Sequence, residues 1–181
     1  GSELCRQIIK HKPKKLLMVE ISEYALYSIH DQLENYGNID TELIPLMGSV
    51  QDVQRMERII SIFKPVTIYH AAAYKHVPIV EENLIEGLKN NLLGTFELAK
   101  LAHKNNVQNF VFISTDKAVR PTNIMGATKR LAELSLQALN EKNINTSESK
   151  IKTKFSIVRF GNVLDSSGSV IPKFRDQIKN G

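Results

Sequence analysis

Residues Phe110 to Arg130 read FVFISTDKAVRPTNIMGATKR. The stretch opens on a short apolar run of β-branched and aromatic residues, which reads as a strand buried on both faces. It breaks at Thr115-Asp116-Lys117, turns through a proline, and continues with helical spacing from Ile124. A strand that delivers polar groups directly to the start of a helix is half of a βαβ unit.

Outward from there the pattern repeats. LLMVE (Leu16–Glu20), LIPLM (Leu43–Met47), VTIYHAAA (Val66–Ala73) and FSIVRF (Phe155–Phe160) are further short apolar runs, read as strands. Between them lie helical patterns. Leu26, Ile29, Leu33 and Tyr36 share one stripe with Gly37 as a stop, and Val53, Met56, Ile59, Ile60 and Phe63 share another before Pro65. Glu81–Asn106 and Ile124–Asn140 read as two longer helices, and Asn140–Lys154 as a polar loop. Strand and helix alternating at this period predict an α/β fold, a parallel sheet covered by helices on both faces.

The chain has 181 residues, enough to bury one core, and one cysteine, Cys5, which excludes an internal disulfide and fits a reducing compartment. No apolar run reaches the ~18 residues of a membrane span. The net charge of +5 concentrates in KHKPKK, Lys10–Lys15. Aromatic residues do not interleave with it as a nucleic-acid platform requires, so it reads as a solvated loop. Nothing suggests a metal site.

The opening GSELCRQII places Leu4, Ile8 and Ile9 on one helical face directly after Gly1. In Rossmann-like, doubly wound dinucleotide-binding folds the first helix follows a glycine-rich turn, and that turn follows a central strand. On this reading Gly1 is the last glycine of the turn. The fold is then truncated at both ends: the first strand, most of the turn and a C-terminal substrate region are absent. Residues 1–181 are expected to be a partial cofactor-binding and catalytic domain of a longer protein.

Ligands of such sheets bind beyond the carboxyl ends of the strands. Glu20 ends the second strand of the fold, where an acid accepts hydrogen bonds from the adenosine ribose and repels a 2′-phosphate, favouring NAD over NADP. Ala71, Ala72 and Ala73 allow close approach to a flat cofactor, and Lys75 and His76 follow as contacts for an anionic or sugar-like substrate. Thr115, Asp116 and Lys117 cluster at one strand end, with a surface ion pair as the alternative reading. Met125 and Lys129 stack four apart on the next helix. The loop RFGNVLDSSGSVIP, with Asn162 and Ser167 as substrate-binding candidates, offers backbone N–H groups to phosphate, and Arg159 adds charge if it faces inward.

Taken together, SELCRQI, SEYALY, HAAAYKHVP, NNLLGT, STDKAVRPTNIMGATKR and VRFGNVL resemble the nucleotide-sugar 4,6-dehydratases of bacterial polysaccharide biosynthesis. These are extended short-chain dehydrogenase/reductase proteins, and the likeness is strongest to the long form acting on UDP-N-acetylglucosamine. Asp165 departs from the glycine that relatives carry there. The resemblance implies NAD as cofactor and a reaction in which the sugar C4 is oxidised, water is lost across C5 and C6, and the hydride returns to C6. It implies Lys117 as the C5 base, Asp116 as the acid at C6, Thr115 on the C4 oxygen, Lys129 on the nicotinamide ribose, and Asn91 fixing main chain of the central helix. Met125 stands where many nicotinamide-dependent enzymes keep a tyrosine base, so the proton work moves to the strand end. The resemblance further implies a UDP-sugar substrate, an inner-membrane anchor outside this chain with the domain facing the cytoplasm, and a homodimer through the two long helices. A UDP-sugar epimerase or reductase, or an inactive nucleotide-binding module, are the rival readings.

Overall fold

The structure is a computed structural model that describes residues 1–37, 40–145, 153–161 and 177–179. Helix α1 (Ser2–Ile9) leads into β1 (Lys15–Glu20), followed by α2 (Glu23–Glu34), β2 (Glu42–Met47), α3 (Val53–Phe63) and β3 (Thr67–His70). Then come α4 (Val77–Glu82), α5 (Leu84–Gly87), a π-helical segment (Leu88–Gly94), α6 (Thr95–Lys104), β4 (Asn109–Thr115), a 3₁₀ turn (Asp116–Ala118), α7 (Ile124–Asn145) and β5 (Lys154–Phe160).

Among the described residues all strand pairs are parallel. β1 pairs with β2, and β3–β4–β5 form a second sheet. β1 and β3 do not pair with each other. In the strand order 3-2-1-4-5-6 this interruption falls at the position of strand 1.

Alternation along the strands sorts the helices into two layers. Leu16 and Met18 of β1 pack with Ile9 of α1 and Leu26, Ile29 and Leu33 of α2. Leu17, between them, points the other way, toward the larger core of α3, α6 and α7, which includes Ile59, Leu98, Phe110, Phe112 and Leu136. The sheet is therefore wound on both sides, as expected. The cover is incomplete over β3–β5, where Tyr69, Val158 and Phe160 on the face opposite Phe110 and Phe112 stay exposed.

Local chemistry sets most boundaries. Ser22 caps α2 by accepting from Ala25 N at 3.3 Å, and Asp52 caps α3 by accepting from Arg55 N at 2.9 Å. The predicted stripe of α2 stops short of Tyr36, which lies beyond the helix and is exposed. Two boundaries differ more. The continuous helix expected over Glu81–Asn106 breaks at Asn83 (φ −130°), and the chain then passes through a π-helical segment before resuming as α6. Gly87 permits the break, since a Cβ there would lie 2.7 Å from Val80 Cγ1. The helix expected to end at Asn140 runs on to Asn145, because the lysine- and glutamate-bearing continuation contains no glycine or proline to stop it.

Candidate active site

β3 ends at His70, three residues sooner than the apolar run suggested, so Ala71, Ala72 and Ala73 lie in the loop beyond it. Asn91, in the π-helical segment and fully buried, holds that loop. Its Oδ1 accepts from Tyr74 N at 2.9 Å and its Nδ2 donates to Tyr74 O at 3.0 Å. The same Nδ2 donates to Thr128 Oγ1 at 3.1 Å, and that hydroxyl donates to Met125 O at 2.8 Å. Asn91 thus ties the loop after β3 to the main chain of the first turn of α7. Ala73, Tyr74, Lys75 and His76 line a cavity of about 560 Å³ with Ile79, Val80, Asn83 and Glu86.

Thr115, Asp116 and Lys117 are brought together at the end of β4. Thr115 Oγ1 donates to Asp116 Oδ1 at 2.9 Å, Lys117 Nζ donates to the same oxygen at 3.2 Å, and Lys117 N donates to Thr115 Oγ1 at 3.3 Å. The threonine hydroxyl and then the lysine hold the Asp116 carboxyl below its usual range. The pair is half-exposed, so it adds little to stability. The turn is pressed onto α7: a Cβ at Gly126 would sit 2.2 Å from Lys117 O. Only glycine allows that approach.

Met125 is buried, with 2% exposure. Lys129 is buried one turn later. Its Nζ donates to Ile113 O at 3.0 Å and sits 4.5 Å from the centre of the Phe112 ring. Burial presses its pKa down to about 8, against the opposing pull of Glu133. Two strand ends, β3 and β4, and the start of α7 are therefore locked into one unit.

Glu20 lies at the end of β1, exposed, with Oε1 accepting from Ile21 N at 2.9 Å and Ser22 N at 3.0 Å. Gly1 caps α1 in open space. Among the described residues no hydrogen bond joins either to the cluster at β3, β4 and α7. Asn162, Ser167 and Asp165 lie outside the described residues. Arg159 is directed at Glu133 rather than held out for phosphate, donating through Nε at 2.8 Å.

Several residues of this unit were not singled out in the sequence. His70 and Thr95 pack beneath the β3 loop, joined at 2.8 Å. Glu81 Oε1 accepts from Ile124 N at 2.7 Å and so caps α7 from α4. Glu133 lies under β4 and β5. A signal existed for it: Met125, Lys129, Glu133 and Leu136 fall on one helical stripe, and a charge on a buried stripe implies a partner.

A doubly wound parallel arrangement with this strand-end cluster defines a Rossmann-like domain. The chain belongs to the polysaccharide biosynthesis protein family, which matches residues 1–181. It is 50% identical, over its whole length, to the capsular polysaccharide biosynthesis protein CapD of Staphylococcus aureus, of which it spans 29%. Over 94% of the chain it is 35% identical to an inverting UDP-N-acetylglucosamine 4,6-dehydratase of Campylobacter jejuni, spanning 48% of it. A UDP-glucose 4-epimerase of Rickettsia bellii is 34% identical over 92% of the chain, which spans 48% of that protein. Among solved structures, Pen from Bacillus thuringiensis superposes with a TM-score of 0.87 at 32% identity, over all of this chain and 52% of that one. The chain thus spans about half or less of these relatives. Among the described residues no helix is long and apolar enough to cross a membrane, and no cluster of His, Cys, Asp and Glu is arranged to hold a metal ion.

Proposed function

We propose that this chain is the cofactor-binding and catalytic part of a longer nucleotide-sugar 4,6-dehydratase, acting on a UDP-linked N-acetylhexosamine, with UDP-N-acetylglucosamine as the expected substrate. The observation that carries the reading is the joined Thr115–Asp116–Lys117 cluster over a buried Met125 and Lys129. Methionine takes no proton, so acid–base work at this site needs other groups, and the strand end supplies a carboxyl and an amine side by side.

The residues present fit a nicotinamide dinucleotide. Glu20 spends Oε1 on its own loop, and its second oxygen suits a ribose hydroxyl. The small side chains of Ala71, Ala72 and Ala73 suit close approach, Gly1 starts α1, and Lys129 suits the nicotinamide ribose. An acid at Glu20 favours NAD over NADP. When bound, the nicotinamide supplies a reversible hydride acceptor. Lys117 then takes the C5 proton, Asp116 gives a proton to the departing C6 hydroxyl, and Thr115 hydrogen-bonds the C4 oxygen. Lys75 and His76, in the cavity beside Asn91, contact the substrate, and Asn162 and Ser167 belong to its diphosphate loop.

The reading extends to the whole protein. A segment preceding Gly1 supplies the strand between β1 and β3 and a membrane anchor, and this domain faces the cytoplasm. Exposed Leu131 and Leu134 of α7 and Leu93 before α6 suit a homodimer through the two central helices.

The test uses the full-length protein with UDP-N-acetylglucosamine and NAD⁺ in D₂O, with the product read by NMR. Deuterium at C5 with a C6 methyl group supports dehydration. A C4-inverted sugar without deuterium favours the epimerase reading that the Rickettsia relative suggests, and binding without turnover favours an inactive module.

A further inference from the structure

Among the described residues Glu133 is the one fully buried acid, and the chemistry proposed above does not use it. Four donor contacts from three elements converge on its carboxylate. Ser114 Oγ of β4 reaches Oε1 at 2.6 Å, and Arg159 of β5 reaches Oε1 through Nε at 2.8 Å and Oε2 through Nη2 at 2.5 Å. Arg130 Nη1, on α7 itself, reaches Oε2 at 2.9 Å. A carboxylate offers about four lone-pair sites, so this one is saturated. Burial alone would favour the protonated acid, but the Arg159, Ser114 and Arg130 hydrogen bonds overcome it and lower the pKa to about 2. The group is fully ionised at neutral pH.

Two things hang on that charge. Ser114 and Arg159 are register partners across β4 and β5, so one carboxylate grips both strands at their ends. Ser114 immediately precedes Thr115-Asp116-Lys117. Arg159 lies just before Gly161, whose Cβ position would be 3.6 Å from Asp116 Oδ2. Lys129, one helical turn before Glu133, is a buried ammonium that burial alone drives toward its neutral form.

We propose that Glu133 is a positioning residue, the buried counter-charge that keeps Lys129 an ammonium and the latch that sets the ends of β4 and β5 side by side. What Lys129 does with its charge rests on the proposed function; the counter-charge does not. The titratable and charged groups on the elements packed around Lys129 can be named. On its own helix they are Arg130 and Glu133, with Glu141 and Lys142 three turns further on. β3 carries the neutral His70, β5 Lys154 and Arg159, α4 Glu81 and Glu82, α5 Glu86, the π-helical segment Lys89, and α6 Glu97, Lys100, His103 and Lys104, and beyond β4 stand Asp116 and Lys117. Replacing Glu133 by Gln leaves Arg130 and Arg159 uncompensated, both repelling the ammonium, so Lys129 loses its proton more easily. Replacing Arg159 by Gln removes one repulsion, so it does not. A latch without an electrostatic role would admit water to Lys129 in both variants and raise its titration midpoint in both.

The experiment follows modification of the Lys129 amine by a small acylating reagent against pH, read by peptide mass spectrometry, in the full-length protein and its E133Q, E133D and R159Q variants. The wild-type midpoint is expected at about 8. It falls by roughly one pH unit in E133Q, returns toward the wild-type value in E133D, and does not fall in R159Q. An unchanged or raised midpoint in a folded E133Q overturns the proposal. If E133Q does not fold, a lowered midpoint in R159Q, or a lowered one in E133D, overturns it instead. NAD⁺ affinity, titrated in the same variants, separates the two layers. A shifted midpoint with unaltered NAD⁺ affinity supports the counter-charge and counts against the ribose role of Lys129.

Discussion

Acidification tests the interior through His70. The imidazole ends β3 with 2% exposure and lies 5.7 Å from the Phe112 ring at an interplanar angle of 21°. Its Nε2 is 2.8 Å from Thr95 Oγ1, and that hydroxyl gives its single proton to Asn91 O at 2.8 Å. Nε2 therefore carries the proton of the His70–Thr95 bond, and the ring is neutral. Burial, and secondarily the charge of Lys129, lower its pKa from 6.5 to about 3. From pH 6.5 downward the unfolded chain takes a proton that the native ring refuses. The stability due to this group is thus complete above pH 6.5 and declines as the pH falls toward 3. Each pH unit in that window costs about 1.4 kcal/mol, so the loss at pH 5 is roughly 2 kcal/mol. Gln at position 70 keeps an N–H for Thr95 and does not titrate. H70Q is expected to be the less stable protein at pH 7.5, by about 1–3 kcal/mol of lost ring packing. That deficit should shrink by roughly 2 kcal/mol at pH 5. Urea unfolding midpoints between pH 7.5 and 5 measure the gap. The window lies above pH 4.5, where protonation of the unfolded-state Glu133 begins to contribute. Wild type and H70Q losing stability in parallel would refute the argument.

Three further substitutions follow from the geometry. Gly126→Ala forces a Cβ against Lys117 O and should cost about 1–3 kcal/mol in spite of alanine's better helix propensity; thermal unfolding gives the stability, and turnover should fall further than stability alone explains because Lys117 moves. Asn91→Ala strips hydrogen-bond partners from Tyr74 and Thr128 and should lose roughly 2–4 kcal/mol; urea unfolding checks this, and a loss under about 1 kcal/mol would mean that water replaces the amide. Arg120 has φ 48°, a left-handed conformation that asparagine tolerates better, so Arg120→Asn should gain up to about 1 kcal/mol; a lowered melting temperature would show that the arginine side chain anchors the loop.

The fold was legible wherever one physical signal dominated. Apolar runs placed the five strands among the described residues, because parallel strands read as near-continuous apolar sequence, even where the cover over one face of β3–β5 is incomplete. The break at Asn83 and the π-helical turn were not legible. They are set by tertiary demands, the fit of Val80 against Gly87 and the reach of Asn91 to Tyr74, which periodicity along one segment does not contain. The candidate site divides the same way. Thr115, Asp116 and Lys117 are sequence neighbours at a strand end, so their meeting follows from local geometry. Glu133 meets Ser114, Arg130 and Arg159 across three elements, and only Arg130 is close to it in sequence. His70 reads as part of an apolar run, and nothing local reveals that Thr95, a whole helical segment away, is its partner.

The charge state of the strand-end pair sets a condition on any chemistry there. Asp116 accepts from both Thr115 and Lys117 on one oxygen, and these bonds favour its anion. A base at Lys117 must be neutral and an acid at Asp116 must be protonated, which is the same pair with one proton moved from nitrogen to oxygen. Solvent opposes that transfer, since both side chains remain partly exposed and water stabilises the ions. A bound sugar that covers the pair removes the water and weakens the preference for the ionic form, and a C4 oxygen accepting from Thr115 Oγ1 withdraws one of the two donors that stabilise the Asp116 anion. Covering the site and engaging Thr115 act in the same direction. The exposure of this pair is therefore the feature through which a covering ligand can change its charge state, and a site already closed around the ion pair would lack this means.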